Sequence, residues 1–253
     1  MSIPALVALG GNVGDVNASF LSALETLHET PEVRVTAASR AYETPAVGAK
    51  AGGPFLNAAA TLQTTLSAHD LLAVMQRIEV DAGRDRTVYW GPRPLDLDLI
   101  LFGEETVHDR SLTLPHPGLG WRRFVLDPVC EVAGERRVRG FTIDSIRKSL
   151  LERPLRLAMN TDQEDFVRRL REALEPVFPV SIEWWEPGMR YSRLPPHLAL
   201  AWQGEAPPVP GVIFVPRSSN QAISLLRDVL AAALPKPEPK PVGEPLWGEK
   251  KAG

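Results

Sequence analysis

Two aspartates separated by a single leucine are the most informative chemical feature of the sequence. They are Asp96 and Asp98, within an otherwise apolar run from Leu95 to Phe102. Successive side chains of a β-strand point to opposite faces, so both carboxylates are expected on one face and the leucines on the other. Adjacent carboxylates can bind one or two magnesium ions, which in turn hold phosphate oxygens. Taken alone, the pattern also fits a polar edge strand with two solvated aspartates.

Arginines lie on both sides of this pair in the sequence. Arg84, Arg86 and Arg93 precede it, and Arg122 and Arg123 follow it. Guanidinium groups match phosphate oxygens with two parallel hydrogen bonds, and together with metal ions they stabilise the charge of phosphoryl-type transfer. Each arginine alone would be interpreted as a surface residue, whereas the whole set favours a polyphosphate site.

Four further residues could contact a substrate. His116 lies in the proline-rich turn Leu114-Pro115-His116-Pro117-Gly118, where a neutral imidazole could donate to a phosphate oxygen or simply bond to the backbone. Phe55 and Asn57 share one face of a predicted strand, where a ring and an amide could hold a flat heterocycle. Phe124 could supply a second ring, although phenylalanine is more often a core residue.

The elements that must position these residues alternate between strand and helix. Apolar patterns predict strands over 3–9, 33–42, 55–62 and 95–102, and helices after residue 15 and from a capping box at Ser67–Asp70. The glycine-rich turn over 10–15 lacks the P-loop pattern and is expected to be a simple strand-to-helix turn. This order predicts an α+β sandwich with helices on one face of a mainly antiparallel sheet.

A second unit is expected after Arg153-Pro154, where a closing helix over 142–152 ends. Residues 154–234 read as a small α/β accessory domain: strands over 155–159, 180–185 and 212–215, and helices opening at capping boxes Thr161–Glu164 and Ser218–Gln221. No catalytic motif is found there. Residues 235–253 alternate proline with charge and predict an extended or disordered, flexible tail.

Composition limits the class of protein. The chain has 253 residues, 44% of them hydrophobic, and a net charge of −3, which argues against bulk binding to nucleic acid or an anionic membrane. Its one cysteine, Cys130, excludes an intrachain disulfide and suggests a reducing, cytoplasmic compartment. No signal peptide or membrane span is expected.

Six segments, taken in order, closely resemble the 6-hydroxymethyl-7,8-dihydropterin pyrophosphokinase family of folate biosynthesis, over about residues 1–152. They are Ala8-Leu9-Gly10-Gly11-Asn12, Phe55-Leu56-Asn57-Ala58-Ala59, Gln76-Arg77-Ile78-Glu79, Gly83-Arg84-Asp85-Arg86, Trp90-Gly91-Pro92-Arg93 with Asp96-Leu97-Asp98, and Leu114-Pro115-His116.

This resemblance implies a ferredoxin-like fold and transfer of the β,γ-diphosphoryl group of ATP to the pterin hydroxymethyl oxygen, leaving AMP. It implies that Asp96 and Asp98 bind two Mg²⁺ ions. The implied ATP phosphate contacts are Arg84, Arg86, Arg93 and His116, with Arg122 and Trp90 in a part that closes over the substrates. Pterin would lie between Phe55 and Phe124, near Asn57 and the backbone of Thr44, Pro45 and Val47, and adenine near Gln76, Leu99, Leu112 and Thr113.

The sequence departs from the family pattern at several positions. Phe55 stands where tyrosine is frequent, Arg123 where glycine is expected, and the loop before Trp90 is about one residue short. Three other functions stay open: a two-metal transferase with another acceptor, an RNA-binding module and an inactive scaffold. Detection of AMP as a product would distinguish the pyrophosphokinase from the other transferase. Residues 154–234 could serve stability, self-association or an unknown partner.

Overall fold

The computed structural model describes residues 1–45, 52–84, 92–159, 161, 163–184, 196–202, 211–235 and 239–247. The first half contains β1 (Ile3–Gly11), α1 (Val16–Glu29), β2 (Val33–Ala38), β3 (Ala41–Thr44), β4 (Phe55–Thr64), α2 (Ala68–Asp81), β5 (Asp96–Phe102), β6 (Val107–His108) and β7 (Thr113–Leu114). A 3₁₀ helix, η1 (Pro117–Gly120), is followed by α3 (Arg123–Ala133), β8 (Arg137–Val138), β9 (Phe141–Thr142) and α4 (Ile143–Ser149). The remaining elements are β10 (Leu155–Met159), α5 (Glu164–Leu174), β11 (Val180–Trp184), β12 (Leu198–Ala201), β13 (Gly211–Phe214), α6 (Ser219–Ala233) and β14 (Lys240–Val242).

The first sheet has the strand order β14-β3-β4-β1-β5, and β2 also pairs with β4. Every pairing among these strands is antiparallel, as the sequence predicted. The predicted strand over 33–42 is broken into β2 and β3. Strand β1 lies between β4 and β5 and is buried on both faces, which explains its nearly unbroken apolar run.

Helices α1 and α2 cover one face of this sheet. Their apolar stripes, which include Phe20, Leu24 and Met75, pack with Val7 and Leu9 of β1 in one buried cluster. The cap predicted at Ser67 is confirmed, because its Oγ accepts a hydrogen bond from the N–H of Asp70 and donates one to the carboxylate of Asp70. Because α1 and α2 cover this face, a site on the sheet can form only on the opposite face.

Helix α3 covers the opposite face, so the prediction that helices lie on one face only is wrong. Leu126 and Val129 of α3 are buried with Leu6 of β1 and Ile100 of β5. The α+β class is confirmed, but the layers are helix, sheet and helix rather than a two-layer sandwich. Sequence reasoning missed α3 because Pro128 lies inside it and proline normally ends a helix.

A buried ion cluster holds α3 against α4. The side chain of Arg123 is 1% exposed, and its Nη2 lies 3.0 Å from Oδ2 of the equally buried Asp127. The Nε of Arg147, on α4, lies 2.5 Å from Asp127 Oδ1. Arg123 stands where the family resemblance predicts glycine, so this cluster forms at a departure from the family pattern.

The C-terminal unit is a parallel sheet with the order β11-β10-β12-β13. The strands predicted over 155–159, 180–185 and 212–215 are confirmed within a residue, whereas β12 was not predicted. The capping box at Thr161 is wrong, because the helix begins after Gln163 and has no side-chain cap. Ser218 is the N-cap of α6, but its side chain makes no capping hydrogen bond.

One apolar cluster crosses the boundary predicted after Arg153. It joins Leu6 and Ile100 of the first sheet and Leu119 of η1 with Leu198 and Ile213 of the C-terminal unit. The two units therefore share a core.

Within the segment predicted to be a flexible tail, residues 240–242 form an edge strand, which corrects the prediction for these residues. Strand β14 pairs with β3 in the register Lys240↔Glu43 to Val242↔Ala41. The N–H of Ala38 donates to the carbonyl of Trp247 at 3.0 Å. No helix in the described part of the chain is long and apolar enough to cross a membrane.

Candidate active site

The two aspartates lie at the start of β5, the edge strand beside β1. Their neighbours Leu97 and Leu99 are buried in the cluster beneath α1 and α2, so the carboxylates face the α3 side of the sheet. The predicted alternation is confirmed. The carboxylates remain partly accessible, since the side chains of Asp96 and Asp98 are 18% and 37% exposed.

Arginines from separate segments converge on these carboxylates. Arg84 forms an ion pair with Oδ1 of Asp96, and Arg93 Nη1 lies 3.3 Å from Asp96 Oδ2. Arg122 Nη1, just before α3, lies 3.8 Å from Asp98 Oδ2. The structure therefore brings together three of the arginines that the sequence singled out.

The electrostatics of the pair are unfavourable without added positive charge. Burial raises the pKa of Asp96 above its ordinary value, and the nearby charge of Asp98 raises it further. Arg93 and Arg84 act in the opposite direction but do not reverse the shift. Two carboxylates held close together on a half-buried face are a donor set that suits a hard divalent cation.

His116 contributes a neutral imidazole. Its Nδ1 accepts a hydrogen bond from the N–H of Gly118 at 3.1 Å, which places the ring proton on Nε2. Burial lowers the pKa of His116, with Arg122 lowering it further and Asp98 opposing both. The two interpretations of the sequence are thus compatible, because the histidine bonds to the backbone and still carries a donor.

The residues expected to hold the heterocycle come from β3 and β4. Asn57 and Thr44 are 6% and 4% exposed, and the Asn57 Nδ2 donates to Thr44 Oγ1 at 2.8 Å. Phe55 lies beneath the guanidinium of Arg93, at 5.7 Å from the ring centroid. The guanidinium of Arg122 likewise lies over the ring of Phe124, at 5.8 Å from the ring centroid. Each ring is therefore linked to an arginine that faces an aspartate.

Gly10 explains how the two halves of the site meet. It pairs with Asn57 on one side and Asp96 on the other, across three adjacent strands. A Cβ at this position would lie 3.6 Å from Asn57 Oδ1 and 3.9 Å from Asp96 Cβ. Because glycine has no side chain, the space between the Asn57 amide and the Asp96 carboxylate stays open.

The residues expected to contact adenine lie on several different elements. Leu99 and Leu112 are buried in the core beneath α2, so they would offer a base little more than backbone atoms. Thr113 lies in β7, and Gln76 is exposed on α2. Pro45 is half-buried just after β3. The remaining predicted site residues, Val47, Arg86 and Trp90, lie outside the described residues.

Sequence reasoning missed two positioning residues. Glu79 of α2 has a side chain that is 2% exposed, pairs with Arg84, and accepts the N–H of Leu97 at 2.8 Å. Asn12 Oδ1 accepts the N–H of Arg93 at 3.0 Å, while its Nδ2 donates to the carbonyl of Gly53 at 3.3 Å. A charged residue on the apolar face of α2 was the available signal for Glu79.

Adjacent carboxylates among converging arginines, next to a buried amide and two phenyl rings, define an enzyme that transfers a phosphoryl-type group to a flat acceptor. Residues 6–134 match the model of the 7,8-dihydro-6-hydroxymethylpterin-pyrophosphokinase (HPPK) family. The 2-amino-4-hydroxy-6-hydroxymethyldihydropteridine pyrophosphokinase of Bacillus subtilis is 42% identical over 128 residues, which is 51% of this chain and 77% of that protein. The enzyme of the same name from Methylorubrum extorquens is 41% identical over 139 residues, 55% of this chain and 88% of that protein.

The chain belongs to the HPPK family. Its reaction is the ATP-dependent transfer of a pyrophosphoryl group to hydroxymethyldihydropterin in folate synthesis. A solved structure of Plasmodium falciparum HPPK-DHPS matches with a TM-score of 0.47 at 13% identity, over 68% of this chain and 45% of that chain. The family model ends at residue 134 and leaves the C-terminal unit unassigned.

Proposed function

We propose that the face of β5 bearing Asp96 and Asp98 holds two Mg²⁺ ions and the triphosphate of ATP. The observation that carries the proposal is the convergence of Arg84, Arg93 and Arg122 on these carboxylates. Each arginine now rests on an aspartate, and each has the geometry to exchange that carboxylate for a phosphate oxygen once cations satisfy the aspartates. The raised pKa of Asp96 supports the same conclusion, since burial leaves its charge undercompensated.

The acceptor would bind on the other side of Gly10. Asn57 is buried and held in one orientation by Thr44, which leaves its Oδ1 to accept from the polar edge of a pterin. Phe55 and Phe124 would cover the faces of the ring. This placement brings the hydroxymethyl group toward the aspartates, because Asn57 and Asp96 flank the same glycine.

In the proposed reaction, the hydroxymethyl oxygen forms a bond to the β-phosphorus of ATP, the bond from that phosphorus to the α,β-bridging oxygen breaks, and AMP leaves. The hydroxyl proton is lost to solvent. Bound Mg²⁺ would neutralise phosphate charge and acidify the hydroxyl. The residues of the chain position the reactants: Arg84 and Arg93 hold phosphate oxygens, and His116 donates from Nε2.

The test is an assay for AMP and diphosphorylated pterin with ATP, 6-hydroxymethyl-7,8-dihydropterin and magnesium. Wild-type protein should form both products only with magnesium, and Asp98→Asn should lower turnover by at least about 10²-fold because a ligand charge is lost. Asp165→Asn, at an exposed aspartate of α5 paired with Arg168 at 2.8 Å, is the matched control and should leave turnover unchanged. Normal turnover of a folded Asp98→Asn protein would contradict the assignment. AMP without a pterin product would indicate another acceptor.

We also infer that residues 154–234 stabilise the catalytic unit rather than forming a separate binding module. The shared apolar cluster supports this, because Leu198 and Ile213 pack with Leu119 and Ile100. A Leu198→Ala variant should unfold in one transition at a lower temperature, losing about 2–5 kcal/mol of stability. Two separate transitions, with the first half unaffected, would contradict the inference and favour a self-association or partner role.

A further inference from the structure

Strand β13 of the C-terminal unit lies against the η1 segment, which separates His116 from Arg122. A Cβ at Gly211 would lie 3.0 Å from the carbonyl oxygen of Gly120 and 2.7 Å from Leu198 Cδ2. Its φ is not in the left-handed region that favours glycine. The reason for glycine at this position is therefore the close approach of two backbones.

Backbone hydrogen bonds connect the η1 segment to His116 at one end and to Arg122 at the other. The N–H of Leu119 donates to the carbonyl of His116 at 3.0 Å, and the N–H of Arg122 donates to the carbonyl of Gly118 at 2.9 Å. The side chain of Arg122 lies across Gly118, where an added Cβ would be 2.6 Å from its Cδ. A shift of Gly120 would thus move both ends of the segment.

The contact at Gly120 is next to a hollow region. A cavity of about 470 Å³ opens beside it, lined by His116 and Pro117 on one side and Val212 and Phe214 on the other. Strand β13 therefore borders the cavity that His116 lines and contacts the segment closely at Gly120. Gly211 lies beyond residue 134, where the family model ends.

We propose that Gly211 is a positioning residue for the transfer reaction, acting through the η1 segment to set the positions of His116 and Arg122 against Asp98. The inference rests on the proposed function of His116 and Arg122. Its consequence is that the C-terminal unit contributes to turnover as well as to stability, through one backbone contact.

The test is Gly211→Ala in the full chain. The added methyl group would lie 3.0 Å from the Gly120 carbonyl oxygen, so we expect η1 to shift by a few tenths of an ångström. We therefore expect kcat to fall about tenfold, since a displacement of about 1 Å in a reacting site costs about 10²-fold. The Kd for the pterin, measured without nucleotide, should change by less than about twofold, because Asn57 and Phe55 lie on other strands and only Phe124, at the start of α3, follows the η1 segment. Phe214→Ala is the matched control: this side chain is on the same strand, is 65% exposed, and should leave kcat unchanged.

A double-mutant cycle separates positioning from general loss of structure. In a background that carries both His116→Ala and Arg122→Ala, Gly211→Ala should lower kcat by less than about twofold, because the two groups through which it acts are already removed. Equal losses in both backgrounds, or an equal loss for Phe214→Ala, would overturn the inference. Adding Leu198→Val to Gly211→Ala relieves only the side-chain contact and should not restore kcat, and restoration would show that Gly120 is not the route.

Two results distinguish this inference from the function on which it rests. If neither Arg122→Ala nor His116→Ala lowers kcat, the proposed roles of those residues fail. If they do lower it and Gly211→Ala does not, the inference alone fails. If Gly211→Ala does not fold, Leu119→Val loosens the same segment from its own side of the core, and the same cycle in the background of His116→Ala with Arg122→Ala is the test.

Discussion

Replacing Glu79 by glutamine should weaken both the fold and the arginine arrangement, because this buried carboxylate makes two charge-assisted contacts. Its Oε1 accepts the N–H of Leu97 at 2.8 Å, and it pairs with Arg84. Glutamine keeps the volume and an acceptor but removes the charge. A hydrogen bond to a charged group contributes about 1.5–3 kcal/mol and a neutral one about 0.5–1.5 kcal/mol, so the two contacts together lose about 2 kcal/mol.

For a chain of this size, a loss of about 2 kcal/mol lowers the unfolding temperature by about 4–8 °C. The assay is thermal unfolding followed by circular dichroism, with Glu175→Gln as the matched control. Glu175 accepts the N–H of Ile182 at 2.9 Å but is exposed, so its substitution should shift the midpoint by less than about 2 °C. Equal midpoints for the wild type and Glu79→Gln would refute the reasoning.

Two further predictions concern the C-terminal half. His197 is 3% exposed; its Nδ1 accepts the N–H of Arg156, and its Nε2 donates to Glu152. Burial lowers the pKa of His197 below its ordinary value of 6.5, so the native state binds fewer protons than the unfolded state and stability falls as the pH drops through that value. The lowered pKa of Glu152 affects stability only below its ordinary value of 4.5. His197→Asn should therefore flatten the change in unfolding midpoint between pH 7.5 and 5.5, and an unchanged slope would contradict the assignment. Trp247→Ala should cost about 1–2 kcal/mol, less than a fully buried tryptophan, because the ring is only partly buried and packs 5.1 Å from the ring of His28. A midpoint equal to that of the wild type would show that this packing contributes nothing in solution.

Much of the site could be predicted from the sequence because its geometry is local. Alternation along one strand places Asp96 and Asp98 together whatever surrounds them, and the turn after Leu114 determines how His116 is presented. The antiparallel sheet and the cap of α2 follow from patterns a few residues long. The family resemblance added the reaction, which no spacing of residues could have shown.

Other features depend on contacts between residues far apart in the chain. Helix α3 forms despite Pro128 because burying Leu126 and Val129 against the sheet outweighs the missing hydrogen bond. Strand β14 forms at the edge of β3, although alternating proline and charge predict no structure there. In both cases tertiary packing overrides local preference.

The sequence by itself determined the chemical groups and their placement along each strand, since the faces of a strand depend only on the backbone. Only the tertiary structure decided that Glu79 orders Arg84, that Gly10 separates the two halves of the site, and that Gly211 meets Gly120. These pairs are brought together by the burial of two sheets on a shared core, which is a property of the whole chain and leaves no local pattern in the sequence.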